Sequence, residues 1–271
     1  MAHRIHQLKA PLERLHLLCF PPVCRACHKL MTPLGPRHAG FPFLCAPCLE
    51  KLPWKAPERT CQRCGSLTAE EDRLRCPLCA TRQVWPHRVW CAFYYTDPVR
   101  QWIWAIKYHR EESMAAMLGR LLHHASLGGD PLAGMDWIAP VPLHPRRLRQ
   151  RGFNQSLLLA HALLRERRTI AGSASPSPSP DSSPAPLPLL WPDLLQRIRH
   201  TRPQMDLPAD ERAANVAEAF ALPPEHKPRV AGRTILLVDD LLTTGATLAA
   251  CTQTLLDAGA ARVEALVLGR A

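Results

Sequence analysis

Two adjacent carboxylates near the end of the chain are the residues best suited to chemistry. The segment Thr234 to Val238 before them is a short apolar run with β-branched residues, typical of a strand buried on both faces of a parallel sheet. Asp239 and Asp240 close this strand. We therefore expect them at the carboxyl edge of the sheet, where open α/β folds bind their ligands.

A hydroxyl-rich turn follows the carboxylates and consists of Thr243, Thr244, Gly245, Ala246 and Thr247. A helix is predicted after it, from Leu248 to Ala258. Such a turn directs backbone N–H groups and hydroxyls to one point over a helix N-terminus, which is a phosphate site. A ligand that carries both a phosphate and a vicinal diol satisfies the turn and the carboxylates, and ribose 5-phosphate is such a ligand. The alternative is a plain buried strand followed by a capped helix.

Cysteine spacing in the first 80 residues indicates metal sites. Four Cys-x-x-Cys pairs occur there: Cys24 and Cys27, Cys45 and Cys48, Cys61 and Cys64, and Cys76 and Cys79. Because two such pairs complete a tetrahedral zinc site, we predict two structural zinc ions, with the pairs combined in sequence order. A crossed arrangement and redox-active thiols are the alternatives. The other cysteines, Cys19, Cys91 and Cys251, are interpreted as core residues.

Composition places further limits on the protein. The chain has 271 residues and a formal charge of +11, from 34 Lys and Arg against 23 Asp and Glu, which favours anionic partners such as phosphates or nucleic acid. Its length indicates two domains, a double zinc-ribbon domain over 1–85 and an α/β domain over 86–271. We find no apolar segment of membrane-spanning length and no secretory signal, so we expect a cytoplasmic protein.

A second anion site is predicted where the strand Asp136 to Val141 ends. The segment that follows contains the guanidinium groups of Arg146, Arg147, Arg149 and Arg151, whose planar donors match phosphate oxygens. Lys107, at the end of a predicted helix, is included in this site. A solvated basic turn is the alternative interpretation.

Periodicity predicts the elements that position these residues. Strands are expected over 88–95 and 262–268, and helices over 99–108, 114–124 and 156–168. Trp102 and Trp104 would lie on different sides of their helix, one in the core and one over a ligand or partner surface. Leu189 to Arg199 is expected to be helical or mixed. The Ser- and Pro-rich segment Gly172 to Pro188 is expected to be a disordered insertion.

Together these motifs resemble the ComF family. The resemblance is carried by the Asp-Asp and Thr-Thr-Gly-x-Thr pattern, by Val-Pro-Leu-His-Pro-Arg-Arg and Arg-Gly-Phe-Asn-Gln, by the cysteine-rich start, and by Arg199-His200-Thr201-x-x-Gln204 with Arg212 and Asn215. It implies a type I phosphoribosyltransferase fold behind a double zinc ribbon. It also implies that Asp239 and Asp240 contact the ribose 2- and 3-hydroxyls of phosphoribosyl pyrophosphate (PRPP), that Thr243 to Thr247 bind its 5-phosphate, and that the basic loop binds pyrophosphate.

Two functions follow from the sequence. The first is an enzyme that transfers a phosphoribosyl group from PRPP, with Mg²⁺ entering alongside the substrate. The second is a binding protein that holds single-stranded DNA through basic loops and tryptophans during DNA uptake in natural transformation, in contact with the uptake machinery. In either case the loop from Thr201 to Asn215 is expected to close over the ligand, and surface capping is the alternative interpretation.

Overall fold

The computed structural model describes residues 21–31, 41, 43–55, 60–61, 63–68, 76–80, 83–109, 111, 114–125, 129–173, 186–199 and 218–271. The chain divides into two units, Met1–Leu52 and Pro53–Ala271. Among the described residues, no helix combines the length and the apolar character that crossing a membrane requires.

The described part of the first unit contains a short helix, α1 (Ala46–Glu50), and a tight turn around the first cysteine pair. The Cys24 N–H donates to the carbonyl of Lys29 at 2.9 Å, and the Arg25 N–H donates to the carbonyl of Phe43 at 3.0 Å. The apolar side chains of Phe41, Leu44 and Leu52 are buried. The apolar core formed by the described residues of this unit is therefore small. Metal binding commonly stabilises a domain whose core is small.

A parallel sheet organises the second unit. In the described residues it has five strands in the order β1, β7, β6, β2, β3, and a two-stranded antiparallel pair joins β4 to β5. The strands are β1 (Val89–Tyr94), β2 (Trp137–Pro140), β3 (Leu189–Leu190), β4 (Gln196–Arg197), β5 (Phe220–Ala221), β6 (Thr234–Leu242) and β7 (Arg262–Arg270). The apolar run from Ile235 to Val238 is fully buried in β6. The predicted doubly covered central strand is therefore confirmed.

Helices pack on the sheet and complete the α/β architecture. They are α2 (Pro77–Ala80), α3 (Val99–His109), α4 (Met114–Ala125), α5 (Pro145–Arg151), α6 (Gln155–Ser173), α7 (Lys227–Val230) and α8 (Ala246–Asp257). Helix α3 buries Trp102 and leaves Trp104 half exposed, as its spacing predicts. Gly119 of α4 lies against the backbone of Ala162 in α6, where a Cβ atom would overlap with it.

The structure decides two points that the sequence left open. Leu189 to Arg199, expected to be helical or mixed, is a mixed segment: Leu189 and Leu190 pair with β2, and Gln196 and Arg197 form β4. Pro192, which cannot donate a backbone hydrogen bond, lies between the two strands and disfavours a helix interior. The arginine run forms helix α5 rather than the basic turn of the alternative interpretation, with His144 Nδ1 accepting from the Arg146 N–H at the N-cap.

Three other expectations fall wholly or partly on residues outside the described ranges. Helix α6 continues through Gly172 to Ser173, and the rest of the predicted insertion up to residue 185 lies outside them. The predicted closing loop from Thr201 to Asn215 and the predicted core residue Cys19 also lie outside them.

Candidate phosphoribosyl site and cysteine clusters

A cavity of about 380 Å³ opens at the carboxyl end of β6. Several parts of the second unit contribute residues to it. They are the residue after β1, helix α3, the segment after β2 together with helix α5, the start of α6, strand β4, and the end of β6 with the turn after it. The charged and hydroxyl-bearing residues that line it are Tyr95, Lys107, Tyr108, Arg147, Arg151, Ser156, Arg197, Asp239, Asp240, Thr243 and Thr247. Carboxylates, cations and hydroxyls therefore share one cavity at the edge where the sequence predicts a ligand.

Asp240 is the more deeply buried of the two acids, with only 6% of its surface exposed. Its Oδ1 lies 2.9 Å from Lys107 Nζ, forming an ion pair between β6 and α3. Its Oδ2 is buried and has no hydrogen-bond partner within the described part of the chain. An unsatisfied buried carboxylate oxygen costs free energy, so this atom is available to accept a hydrogen bond from a molecule bound in the cavity.

Asp239 has protein partners for one of its oxygens. Its Oδ1 accepts a hydrogen bond from Ser156 Oγ at 3.0 Å and another from the Asp240 N–H at 2.9 Å. Burial raises the pKa of this carboxyl to about 7, the neighbouring Asp240 carboxylate adds to the rise, and Lys107 opposes it. Asp239 therefore does not titrate as an ordinary surface carboxylate near neutral pH.

The threonine turn after β6 has the backbone shape that the sequence predicts for it. Gly245 is the N-cap of α8 with a φ of 80°, a left-handed conformation that favours glycine. The ring of Trp85 lies so close to Gly245 that a Cβ atom there would overlap with it. Thr243 and Thr247 line the cavity, whereas Gly245 and Ala246 are buried. Thr244 Oγ1 accepts a hydrogen bond from the Ala246 N–H at 3.5 Å.

The predicted basic cluster is only partly directed at the cavity. Arg147 and Arg151 line it, and Arg151 Nη1 donates to Gln155 Oε1 at 2.9 Å. Arg146 is exposed and is not among the lining residues. The helical turn of α5 explains the difference, since neighbouring residues of a helix point in different directions.

Two site residues were missed from sequence. Ser156 begins the buried face of α6 and donates to Asp239, and the Asn154 side chain caps that helix by accepting from the Ser156 N–H at 3.0 Å. Arg197 is 8% exposed and lines the cavity. Burial lowers the pKa of its guanidinium group, and the positive charge of Arg147 lowers this pKa further. The Asn-Gln-Ser sequence at the start of α6 is a helix-capping signal that could have located Ser156. A lone arginine in an irregular segment gives no comparable signal for Arg197.

The eight predicted metal ligands form two clusters, combined in sequence order. Cys24, Cys27, Cys45 and Cys48 form the first cluster and Cys61, Cys64, Cys76 and Cys79 the second, with the ligand atoms of each cluster within 4.8 Å of one another. The Cys27–Cys45 and Cys64–Cys76 sulfur separations are 3.8 Å and 3.6 Å. Ligands about 2.3 Å from a tetrahedral zinc ion are about 3.8 Å apart, so either cluster could hold zinc.

Each cluster contains one thiol whose pKa lies below the usual value. Burial opposes the shift in both. Backbone N–H groups, that of Cys45 first, bring the pKa of Cys24 to about 6, and Ser66 brings that of Cys64 to about 7. Thiolates are the form in which cysteine binds zinc. The donor set is complete at four sulfurs, which is typical of a structural site rather than a catalytic one.

The second cluster is part of the core of the sheet unit. Its four buried cysteines belong to one apolar cluster with Trp85, Val89, Leu242, Ala246 and other sheet and helix residues. The division of the chain at Leu52 places these cysteines with the sheet, although the sequence predicts one zinc-ribbon domain as far as residue 85. The boundary near residue 85 stays a prediction.

Comparison with known proteins identifies first the class of the domain. Residues 195–270 match the model of the phosphoribosyl transferase domain, the segment that contains Arg197, both carboxylates and the threonine turn. The parallel sheet with its cavity at the carboxyl end of β6 is therefore a phosphoribosyltransferase-type domain.

Similarity over nearly the whole chain then identifies the family. The chain is 31% identical to DNA utilization protein YhgH of Escherichia coli K12 over 258 residues, covering 94% of this chain and 99% of the relative. It is 32% identical to the protein of the same name from Salmonella typhimurium, with the same coverage. Competence protein F of Haemophilus influenzae is 27% identical, covering 92% of this chain and 90% of the relative. The chain belongs to the ComF family.

Native mass spectrometry tests the metal content that the clusters imply. We expect two zinc ions per chain, because each four-cysteine cluster offers a closed tetrahedral donor set. A mass without zinc that lacks two hydrogens for each cysteine pair would contradict this expectation, since it would indicate the redox-active thiols that are the alternative interpretation. The same protein under denaturing conditions is the control for covalent modification.

Proposed function

We propose that this protein binds PRPP, or a related phosphoribosyl nucleotide, in the cavity at the carboxyl end of β6. The ribose hydroxyls would donate to Asp239 and Asp240, and the 5-phosphate would lie on the turn from Thr243 to Thr247. The observation that carries the proposal is Asp240 Oδ2, a buried carboxylate oxygen that has no hydrogen-bond donor in the described structure. A ribose hydroxyl is a neutral donor of suitable size for that position.

The positive groups of the cavity support the pyrophosphate half of the proposed ligand. Arg147, Arg151 and Arg197 line the same cavity as the carboxylates, and Arg197 is buried there. Burial and the positive charge of Arg147 both lower the pKa of Arg197, so an anion bound beside these two guanidinium groups would stabilise the charged form of Arg197. Their forked donors suit phosphate oxygens better than single ammonium groups do.

Mg²⁺ fits the proposed site as a companion of the ligand. This ion is usually bound by one or two carboxylates together with substrate phosphates and water, and the Asp239–Asp240 pair supplies that number of carboxylates. When bound, it would neutralise charge on the pyrophosphate. We propose no separate magnesium site.

Phosphoribosyl transfer is the reaction that this arrangement would serve. The bond between the anomeric carbon and the pyrophosphate oxygen would break, and the leaving group would depart with the electron pair toward Arg147 and Arg197. A nitrogen atom of the acceptor would form the new bond to the anomeric carbon and release its proton to solvent. The developing positive charge on the ribose would be stabilised by the neighbouring carboxylates. Release of pyrophosphate from PRPP in the presence of a nitrogenous acceptor is the direct assay for this step.

Replacement of Asp240 by Asn tests the binding proposal. We expect the affinity for PRPP with Mg²⁺ to fall by about tenfold or more, since a hydrogen bond to a charged group contributes about 1.5–3 kcal/mol. Isothermal titration calorimetry measures the change. The control is Asp257→Asn, an exposed acid of α8 whose carboxylate accepts from Gln253. Equal affinities for wild type and Asp240→Asn would reject the proposed role of the carboxylate.

The pH dependence of binding tests the role of Asp239. Its pKa of about 7 means that half of the free protein carries a protonated Asp239 at neutral pH. A ligand that needs the carboxylate must expel this proton, so affinity should rise about tenfold between pH 6 and pH 8 and level off above that. Asp239→Asn should remove this rise and leave only the titration of the ligand's own phosphate. An identical pH profile in the variant would contradict the assignment.

A second candidate function, binding of single-stranded DNA, is favoured by a surface next to the cavity. Trp104 and Tyr108 of α3 are 50% and 52% exposed, and their rings lie 5.1 Å apart. The ring of His109 is 5.2 Å from Trp104, and the guanidinium of Arg151 lies 5.6 Å from the Tyr108 ring. Aromatic rings beside arginines bind single strands by stacking and charge.

The relatives support this second candidate through their names. Proteins of Escherichia coli and Haemophilus influenzae similar to this chain are called a DNA utilization protein and competence protein F. Together with the formal charge of +11, these names favour a nucleic acid as a partner of this chain. The two candidate functions share Tyr108 and Arg151, which line the cavity as well as contacting each other. Because both would contact Tyr108 and Arg151, binding of a phosphoribosyl ligand would change the affinity for a DNA strand, and the reverse.

Single-stranded oligonucleotide binding separates the stacking and charge contributions. Trp104→Ala should weaken binding of an oligothymidylate about tenfold with an unchanged salt slope, because stacking on one aromatic ring contributes about 1–3 kcal/mol. Arg146→Ala should instead reduce the slope of log affinity against log salt by about 0.7. Fluorescence anisotropy across a salt series measures both. The control is Arg262→Ala, at the amino end of β7, and salt-independent binding by the wild type would exclude this function.

A further inference from the structure

A continuous set of contacts joins the threonine turn to the second cysteine cluster. Arg270, near the chain end, donates from Nη1 to the carbonyl oxygen of Thr243 and, at 3.3 Å, to that of Leu242. Its Nη2 donates to Ser66 Oγ at 2.9 Å. Ser66 Oγ in turn lies 3.1 Å from the sulfur of Cys64. One guanidinium therefore spans the space between a predicted phosphate-binding residue and the neighbour of a predicted metal ligand.

Trp85 forms a second, independent connection. Its indole N–H donates to the carbonyl of Arg63 at 3.3 Å, inside the Cys61 to Cys64 turn, and the far edge of its ring lies against Gly245. The ring is 4% exposed, and it belongs to the same buried apolar cluster as the four cysteines. The threonine turn therefore cannot move toward Trp85 without displacing the Trp85 ring, which is hydrogen-bonded to Arg63 in the cysteine turn.

Both connections depend on the conformation of the cysteine turn at Cys61 and residues 63–66. The Cys61 N–H donates to the Ser66 carbonyl at 2.9 Å, and the Gly65 N–H donates to the Cys61 carbonyl at 2.8 Å. These bonds close a tight turn whose two cysteines face the shared ligand position of the second cluster. A bound metal contributes folding free energy to such a turn, and its loss removes that contribution. The orientation of Ser66 and of the Arg63 carbonyl is then no longer fixed.

We propose that the second cysteine cluster, when it holds its metal, sets the conformation of the threonine turn through the positioning residues Ser66, Trp85 and Arg270. Metal occupancy of this cluster is thereby coupled to the affinity of the turn for the ligand phosphate. The ligand part of this inference rests on the function proposed above, whereas the conformational part does not. The first cluster belongs to the other unit and serves as an internal comparison.

Coupling between two sites is reciprocal, which allows a test on the unaltered protein. If the metal site favours the phosphate-binding conformation, the bound ligand must favour the metal by the same factor, typically about 5- to 150-fold. We expect PRPP with Mg²⁺ to slow the transfer of one of two zinc ions to a chromogenic chelator by at least about fivefold. The release of the other zinc ion should not change.

Arg270→Lys is the variant that removes the coupling with least damage. A single ammonium cannot contact Ser66 and the turn carbonyls together as the guanidinium fork does. We expect this variant to keep two zinc ions, to lose the effect of the ligand on zinc release, and to bind PRPP at least about fivefold more weakly. Arg262→Lys, at the other end of the same strand and paired with Glu264, is the matched control and should behave as wild type.

Hydrogen exchange of residues 243–247 provides a readout that needs no ligand. Exchange there should increase in Arg270→Lys, and also in a Cys64→Ser, Cys76→Ser variant that lacks the second metal. It should stay unchanged in Cys27→Ser, Cys48→Ser, which alters the first cluster only. Should the second-cluster variant unfold, Arg270→Lys still decides, because it retains all eight cysteines.

The outcomes separate this inference from the proposed function. Increased exchange in Arg270→Lys together with no PRPP binding by the wild type would reject the proposed ligand and keep the conformational coupling. Tight PRPP binding with wild-type exchange, zinc release and affinity in Arg270→Lys would overturn the coupling and keep the proposed function.

Discussion

Two adjacent carboxylates at the end of a buried strand are the constraint on which the rest of the site depends. Placing Asp239 and Asp240 side by side away from water is costly, because burial and like charge both oppose ionisation. The fold offsets this cost in part with Lys107 on Asp240 and Ser156 on Asp239. It leaves one oxygen of Asp240 without a protein donor in the described structure. Under the function proposed above, a ribose hydroxyl of the ligand would supply the donor for that atom.

Parallel strand order explains why the other groups converge on the same place. Strand β6 lies between β2 and β7, so the segments that follow β2 and β6 emerge at one edge of the sheet. Arg147 and Arg151 of α5, the start of α6 and the threonine turn therefore line one cavity. Two residues connect the second cysteine cluster to the threonine turn. The Trp85 ring lies against Gly245, and Arg270 donates to the Thr243 carbonyl. Direct contacts thus link the residues around this cluster to the turn that lines the cavity.

The sequence predicted those features that depend on local pattern. The β6 strand, the amphipathic helix α3 and the cysteine clusters followed from apolar spacing and from the Cys-x-x-Cys pairs. Arg197 was missed because it lies on a two-residue strand in a segment without periodicity, and only the tertiary fold brings it to the cavity. The roles of Trp85 and Arg270 were missed for the same reason, since both contacts join residues far apart in sequence.

A crystal structure of the protein with ribose 5-phosphate would test the central claim most directly. The account predicts density for the 5-phosphate on the turn from Thr243 to Thr247, with the ribose 2- and 3-hydroxyls donating to Asp239 and Asp240. A phosphate held by Arg147 and Arg197 instead, with both carboxylates free of the sugar, would contradict it.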